Sequence, residues 1–189
     1  ADAQRLTLAA LRRLGPTDAA AVVIDNATAD VLAYVGAPDA AQADHAAILR
    51  SSGNLLLPFV YGIAIERRQL TAATLLDDSL SNHAPTNPDE RLWVSARRAL
   101  GENLSEPSQA VLRMVGEQLP ERFRVADLDV GRSGQAELGL LAIAGLYRSL
   151  GNGGLWLAPR STPGGERVAR RMLRPEAGFI RSEEHTSEL

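Results

Sequence analysis

The stretch RSSGNLLLPFVYG, residues 50–62, joins a polar loop to the strongest helix candidate of the chain. Asn54 is placed to cap this helix, and Pro58 falls within the first turns, where few backbone N–H groups have a partner to lose. We therefore expect a buried helix over residues 55–70. The three adjacent leucines at its start are expected in the core, because they cannot all face water without cost.

The composition is that of a globular protein with a core of its own. The chain has 189 residues, of which 45% are apolar, and this is enough for one ordinary domain. A formal net charge of -3 provides no basic field for nucleic acid. No apolar run reaches the roughly 20 residues that span a bilayer. We expect no nucleic-acid partner and no membrane segment in this chain.

Two residue types are missing, and each absence removes a class of chemistry. Without Cys the chain has no disulfide, no thiolate nucleophile and no zinc–thiolate site. All 20 basic residues are Arg, and a guanidinium with a pKa above about 12 cannot act as a general base. Mechanisms that need a lysine are therefore excluded, and neither a cofactor nor a metal site is expected.

The rest of the chain alternates helical segments with short strand-like runs. The clearest element is a β-hairpin, because two β-prone runs flank a turn rich in Asn, Thr and Asp. A glycine-rich turn over 151–154 is expected to end a helix in left-handed conformation. In chain order the sequence predicts a helix over 3–14, strands over 20–25 and 31–36, a loop over 37–53, a loop over 77–91, helices over 94–100, 107–115 and 137–150, and a strand over 155–158.

Four segments carry a resemblance to a known family. They are VVIDNATADVLAYVG at 22–36, RSSGNLLLPFVYG at 50–62, HAPTNPDERLWVSARRALGENLSEPSQAVLRMVG at 83–116 and LLAIAGLYRSLGNGG at 140–154. In this order they resemble the transpeptidase domain of class A penicillin-binding proteins, most closely the 1C subgroup, over nearly all of residues 6–180. The resemblance implies an α/β (α+β) fold of the penicillin-binding protein transpeptidase and β-lactamase type. In that fold helices cover an antiparallel sheet, which we expect to be incomplete here.

The family's reactive residues are absent from the matching positions. In that family the serine of S-x-x-K opens a helix and is acylated, and the lysine one turn later accepts its proton. Here the serine position is Asn54 and the lysine position is Leu57. The S-x-N motif falls on Asn103 and Ser105 with its two polar residues exchanged, and K-T-G has no counterpart. We expect a catalytically degenerate transpeptidase-like domain, a pseudoenzyme that forms no acyl-enzyme.

The resemblance also implies a place in bacterial peptidoglycan synthesis. It suggests the periplasmic face of the inner membrane, in a family whose members also carry a glycosyltransferase domain. Two other interpretations stay open. In one, the chain is a non-catalytic scaffold that binds peptidoglycan stem peptide or another cell-wall protein. In the other, it is an active relative whose serine and lysine codons were misread.

Other polar residues fit structural roles better than chemical ones. Neither Ser51 nor Ser52 is followed three residues later by a lysine, so we expect neither to be a nucleophile. His45, beside Asp44, is interpreted as a solvated loop residue, with a catalytic triad as the alternative. His83 is expected to pack against its neighbours. Turn and capping roles are expected for the two polar residues of the S-x-N position.

Three features of the backbone and surface complete these expectations. Ala29 stands where the family has a glycine in its hairpin turn, so strain on the order of 1 kcal/mol is expected unless the turn has changed type. The acidic pairs at 77–78 and 127–129 lack the spacing of a metal loop and are interpreted as solvated surface. The glycines at 151–154 follow a helix, whereas a dinucleotide loop follows a strand.

The stretch RSEEHTSEL at 181–189 matches one reading frame of a common sequencing adapter. We therefore expect a partial transpeptidase-like domain over residues 1–180 and a tail over 181–189 that is foreign to the natural protein. His185 lies in this tail and is given no role.

Overall fold

The computed structural model describes residues 2–15, 18–39, 41–79, 93–162 and 167–178. The strands are β1 (Ala21–Ile24), β2 (Val31–Val35), β3 (Arg50–Ser51), β4 (Leu75–Asp77), β5 (Trp93–Ser95), β6 (Glu137–Leu138), β7 (Leu155–Trp156) and β8 (Arg170–Arg171). The α-helices are α1 (Asp2–Leu14), α2 (Leu57–Glu66), α3 (Ala96–Gly101), α4 (Ser105–Val115), α5 (Gln118–Phe123), α6 (Leu140–Gly151) and α7 (Pro175–Gly178). Two 3₁₀ turns lie at Gly53–Leu56 and Arg124–Ala126.

The chain divides into two compact units, where the composition led us to expect one domain. The first consists of Ala1–Ser52 with Ala136–Met172, and the second of Gly53–Gln135 with the segment from Leu173 onward. The boundary between Ser52 and Gly53 falls inside the stretch that precedes α2. The residues on either side of this boundary therefore belong to different local packing environments.

The first unit is built on the predicted β-hairpin. β1 and β2 pair antiparallel, with Ala21 opposite Val35 and Ile24 opposite Val31. Helix α1 lies against both strands and α6 against β1. Two shorter antiparallel pairs, β3 with β6 and β7 with β8, complete this unit. The hairpin and the left-handed turn after α6, where Gly153 has a φ of 59°, both confirm the sequence prediction.

The hairpin turn contains the strained residue that the resemblance implied. Ala29 is fully buried, and its φ of 57° lies in the left-handed region that favours glycine. The Ala29 N–H donates to the carbonyl of Asp25 at 2.9 Å. The Thr28 N–H donates to the Asp25 side chain at 2.6 Å, and this hydrogen bond lowers the pKa of that carboxyl. The turn thus keeps a glycine-type conformation with an alanine in it.

The second unit is mainly helical and has α2 at its centre. Seven of the ten residues of α2 are buried, as expected for a helix that is apolar on most sides. Helices α3, α4, α5 and α7 pack around it, and β4 pairs antiparallel with β5. An edge-to-face contact between Phe59 and Phe123, with ring centroids 5.4 Å apart, joins α2 to α5.

A buried acidic side chain holds the C-terminal end of α2. The Glu66 side chain is 6% exposed, and its Oε1 accepts a hydrogen bond from Arg122 of α5 at 2.5 Å. Its Oε2 accepts the backbone N–H of Arg174, just before α7, at 3.0 Å. One carboxylate therefore connects α2 to α5 and to the residue that precedes α7.

Several predicted boundaries are wrong. Helix α2 spans ten residues, not 55–70, because a 3₁₀ turn precedes it and Arg68 turns to a φ of 58° after it. Residues 94–95 belong to β5 and residues 137–138 to β6, although both were expected to be helical. The loop predicted over 37–53 contains β3, and the strand predicted over 155–158 is only two residues long.

The errors that concern strands share one physical cause. The misassigned strands are two or three residues long, and each is paired with a segment distant in the sequence. Such short pairs leave no period-two pattern to read. Residues 80–92, which include His83 and most of the predicted loop at 77–91, lie outside the described residues, as does the predicted tail at 181–189.

Helices and antiparallel strands occur together, as the predicted class requires. Within the described residues the strands form four separate antiparallel pairs, without a larger sheet that joins them. In the same part of the chain, the helices are too short or too polar for any one of them to cross a membrane.

Candidate functional site

A small cavity in the second unit lies where α2 begins. Its volume is about 60 Å³. Three parts of the chain line it: the 3₁₀ turn with the first residues of α2, the N-terminal half of α4, and the loop at 133–135. Its apolar lining comes from Leu56, Leu57, Val60, Leu104 and Leu112. Its polar lining comes from Asn54, Ser105, Ser108, Gln109, Ser133 and Gln135.

The cavity brings together three of the four positions that the sequence singled out. Asn54, Leu57 and Ser105 all line it. Asn103 lies outside the lining, in the turn after α3, where its φ is 56° and its N–H donates to the carbonyl of Leu100 at 3.2 Å. The turn role expected for Asn103 is therefore confirmed. Ser105 begins α4, but the capping position before it is Leu104, so the expected capping role is wrong for Ser105.

Asn54 does not cap α2, which corrects the sequence prediction. It lies exposed inside the 3₁₀ turn, and the residue that precedes α2 is Leu56, without a side-chain cap. Gly53, with a φ of 49°, starts this turn, so the chain enters the helix through 3₁₀ geometry. Asn54 consequently lines the cavity instead of capping the helix.

The three leucines divide between core and surface. Leu56 and Leu57 are 1% and 7% exposed, as expected, whereas Leu55 is 43% exposed and its predicted place in the core is wrong. Residues 54 and 57 are three apart, the spacing that puts two side chains on the same side of a helical turn. Asn54 and Leu57 both line the cavity and place a carboxamide and a hydrocarbon there.

Ser108 is a buried hydroxyl in the lining that sequence reasoning missed. It is 4% exposed, and its Oγ lies 3.3 Å from the hydroxyl of Tyr61. Burial raises the pKa of Tyr61, so this phenol stays neutral near pH 7 and cannot take a proton from the serine. The pair is a buried hydrogen bond between two neutral hydroxyls.

The other missed residues are Gln109, Ser133 and Gln135. Ser108 and Gln109 follow Ser105 by three and four residues, so helical spacing alone could have placed them on its face. The loop at 133–135 gives no such signal. Its position depends on Gly134, which has a φ of 72° and on which a Cβ would lie 2.9 Å from Leu112 Cδ2 of α4.

The serines that precede α2 have structural roles in the first unit. Ser52 is 1% exposed, its N–H donates to the carbonyl of Ala136 at 2.7 Å, and its Oγ accepts the Ala136 N–H at 3.1 Å. Ser51 is an exposed strand residue paired with Glu137. These contacts explain both serines without a catalytic role.

His45 is packed, so its interpretation as a solvated residue is wrong. Its side chain is 16% exposed, and its Nε2 lies 3.4 Å from Asp18 Oδ1. The carboxylate of Asp44 instead accepts the hydroxyl hydrogen of Tyr34 at 2.9 Å and the backbone N–H of Ala46 at 3.0 Å. The Asp–His pairing that a triad needs does not form between these neighbours.

The cavity can bind but offers little for proton transfer. Among the described residues, none that line it is an acid, a histidine or an arginine. Three hydroxyls and three carboxamides supply hydrogen-bond donors and acceptors above an apolar floor. In the same part of the chain no group of three His, Cys, Asp or Glu side chains could hold a metal ion.

Known proteins resemble this chain in both sequence and fold. No protein-family model matches it. Its sequence is 31% identical to Penicillin-binding protein 1C of Escherichia coli (strain K12), in a match that covers 63% of this chain. The chain spans only 17% of the length of that relative.

Two solved structures have a similar fold. One is the crystal structure of a peptidoglycan glycosyltransferase from Burkholderia ambifaria, with a TM-score of 0.75 and 16% identity over 96% of this chain and 70% of that one. The other is the apo TP domain of Burkholderia pseudomallei penicillin-binding protein 3, with a TM-score of 0.71 and 16% identity over 95% of this chain and 66% of that one. They confirm the fold class expected from the sequence.

Proposed function

We propose that this chain, a homologue of penicillin-binding protein 1C with the fold of penicillin-binding protein transpeptidase domains, does not catalyse transpeptidation. The observation that carries the proposal is the pair Asn54 and Leu57 at the cavity. Near neutral pH a carboxamide has no proton to give up, and a leucine side chain can accept none. Loss of a serine nucleophile costs about 10⁶-fold in rate in a well-studied serine protease.

The serines of the cavity do not replace the missing nucleophile. A serine hydroxyl is a weak nucleophile until a neighbouring base takes its proton. The hydroxyl of Ser108 lies beside a neutral tyrosine hydroxyl, which is not a base near pH 7. Ser105 and Ser133 are exposed, and within the described lining there is no acid, histidine or lysine to activate them.

The function that we propose is binding within the machinery of peptidoglycan synthesis. The cavity keeps hydrogen-bonding side chains above an apolar floor, and the helix beneath it is buried in the unit's core. Such a surface supports recognition of peptidoglycan fragments without chemistry. We place the module at the periplasmic face of the bacterial inner membrane, with peptidoglycan stem peptide or a cell-wall protein as its partner.

Labelling with a fluorescent penicillin tests the absence of acylation. We expect intact-mass spectrometry to show the unmodified chain after incubation, while an active penicillin-binding protein treated in parallel gains one adduct. A stoichiometric adduct that maps to any residue between Arg50 and Ser105 contradicts the proposal. Resequencing the gene at codons 54 and 57 tests the misread-codon interpretation, because serine and lysine there would restore the catalytic pair.

Equilibrium binding to purified muropeptides tests the binding role separately. We expect saturable binding that is abolished when the cavity is filled by Ser105→Trp. Ser149→Ala, at a buried site in the first unit, controls for effects of substitution outside the second unit. Absence of any binding to peptidoglycan fragments would remove this role but leave the absence of acylation standing.

A further inference from the structure

All polar side chains that line the cavity are neutral. Three are carboxamides and three are hydroxyls, and no charged side chain lines it within the described part of the chain. Hydroxyls and carboxamides each both donate and accept hydrogen bonds. The lining therefore suits a ligand group that carries a donor and an acceptor but no charge.

The charged residues that adjoin the polar part of the lining in the sequence offer a carboxylate no free cation. Arg132 adjoins the loop at 133–135, but it forms an ion pair with Glu117 and its side chain is 73% exposed. Glu106 lies in the first turn of α4, at the helix end that would otherwise attract an anion. Among the side chains of the described lining, a carboxylate would lose water without gaining a cation, and this is unfavourable.

The volume and the apolar part of the lining restrict the ligand further. Its volume of about 60 Å³ is well below the roughly 300–1,000 Å³ of pockets that enclose whole small molecules, so it can hold only one small group. The buried side chains of Leu56, Leu57 and Val60 contribute apolar lining, and the carboxamides and hydroxyls contribute the polar lining. A compact amide, with or without a methyl group, matches both parts of this surface.

The geometry points to an uncharged amide of a peptidoglycan fragment as the group that this cavity binds, in preference to a free carboxylate. Outside the peptide backbone, two sources share this chemistry: the carboxamide of an amidated stem peptide and the acetamido group of the glycan. The inference rests on the proposed binding function and specifies its ligand. Leu57 is then part of the binding surface, because a leucine at this place offers a carboxylate no cation.

Isothermal titration of the full chain with three matched probes tests the inference. The probes are a stem pentapeptide with a free C-terminal carboxylate, the same peptide with a C-terminal carboxamide, and an N-acetylglucosamine tetramer. We expect the amidated peptide or the tetramer to bind at least about tenfold more tightly than the free acid. Binding of the peptide amide alone identifies the carboxamide as the source, and binding of the tetramer alone identifies the acetamido group.

Two outcomes contradict different parts of the argument. If none of the three probes binds, the proposed binding of peptidoglycan fragments fails, and this inference fails with it. If the free acid binds as tightly as the amide or more tightly, only the inference is overturned.

A substitution that adds a positive charge to the lining tests whether the preference for the amide arises in this cavity. Gln109→Lys adds a cation to the lining on an exposed helix position, and we expect it to raise the affinity for the free acid at least about tenfold. Gln118→Lys makes the same change in α5, outside the lining, and should leave the preference for the amide unchanged. Equal effects of the two variants would overturn the assignment of the site to this cavity.

Discussion

At residue 29, backbone strain opposes the free energy gained by burying the methyl group of alanine. The left-handed φ of 57° costs an alanine about 1–2 kcal/mol relative to ordinary backbone, a cost that glycine avoids. The same methyl group is completely buried, which contributes about 0.8 kcal/mol, and alanine restricts the unfolded chain more than glycine does. The terms are close in size, so an alanine can persist in a glycine-type turn.

We expect Ala29→Gly to change the free energy of unfolding by less than about 1 kcal/mol, because relief of backbone strain offsets the lost burial. Ala33→Gly is the matched control, since Ala33 is 2% exposed in β2 and is not among the residues with positive φ. It should be destabilising by about 1–2 kcal/mol, with no strain to relieve. Urea denaturation of both variants provides the comparison, and equal losses would show that the turn is not strained.

At the scale of the elements, α2 depends on its buried acidic end as well as on its apolar faces. In the sequence, Glu66 begins the polar run Glu66-Arg67-Arg68 at the end of the apolar segment. The structure instead buries its carboxylate against Arg122 and the Arg174 backbone. A buried carboxylate requires such partners, and the partners come from helices that only the folded chain brings together.

Glu66→Ala should be destabilising by about 2–4 kcal/mol, because it leaves Arg122, whose side chain is 25% exposed, without its counterion. Glu102→Ala removes a carboxylate that pairs with Arg98 at 2.8 Å, with both side chains at least half exposed, and should cost less than about 1 kcal/mol. Thermal and denaturant unfolding of the two variants tests the contrast. Similar losses of unfolding free energy in both variants would mean that Glu66 does not connect the helices.

Across the whole molecule, burial is distributed unevenly between the helices. The thirteen-residue helix α1 has no buried residue, and its Leu6 and Leu14 are 64% and 77% exposed. The shorter α2 has seven buried residues. Segments with few buried apolar contacts open at a lower free energy than the core does.

Hydrogen exchange followed by mass spectrometry should reveal this difference. After correction for intrinsic rates, we expect the amides of α2 to exchange at least about 100-fold more slowly than those of α1, because α2 opens only with its unit. The buried strand residues of β2 serve as an internal reference for the first unit. Equal protection of α1 and α2 would contradict the expected order.

Local patterns in the sequence determined much of this protein. Alternating apolar residues and turn chemistry predicted the hairpin, and continuous apolarity predicted a buried α2. The identities of residues 54 and 57 supply neither a nucleophile nor a base. The glycine that the family has at this position of the hairpin turn also predicted the left-handed conformation of Ala29. These features depend on neighbours within a few residues, so one stretch of sequence contains the information.

Only the tertiary structure decided how distant segments meet. The two- and three-residue strands exist because remote segments pair with them. The Glu66 carboxylate is buried because α5 and the residue before α7 supply its partners. Asn54 lies at a cavity because a 3₁₀ turn replaces a cap. The neutral lining joins the start of α2, one face of α4 and a glycine-dependent loop. Packing between residues far apart in the chain sets these contacts, and no local pattern encodes such packing.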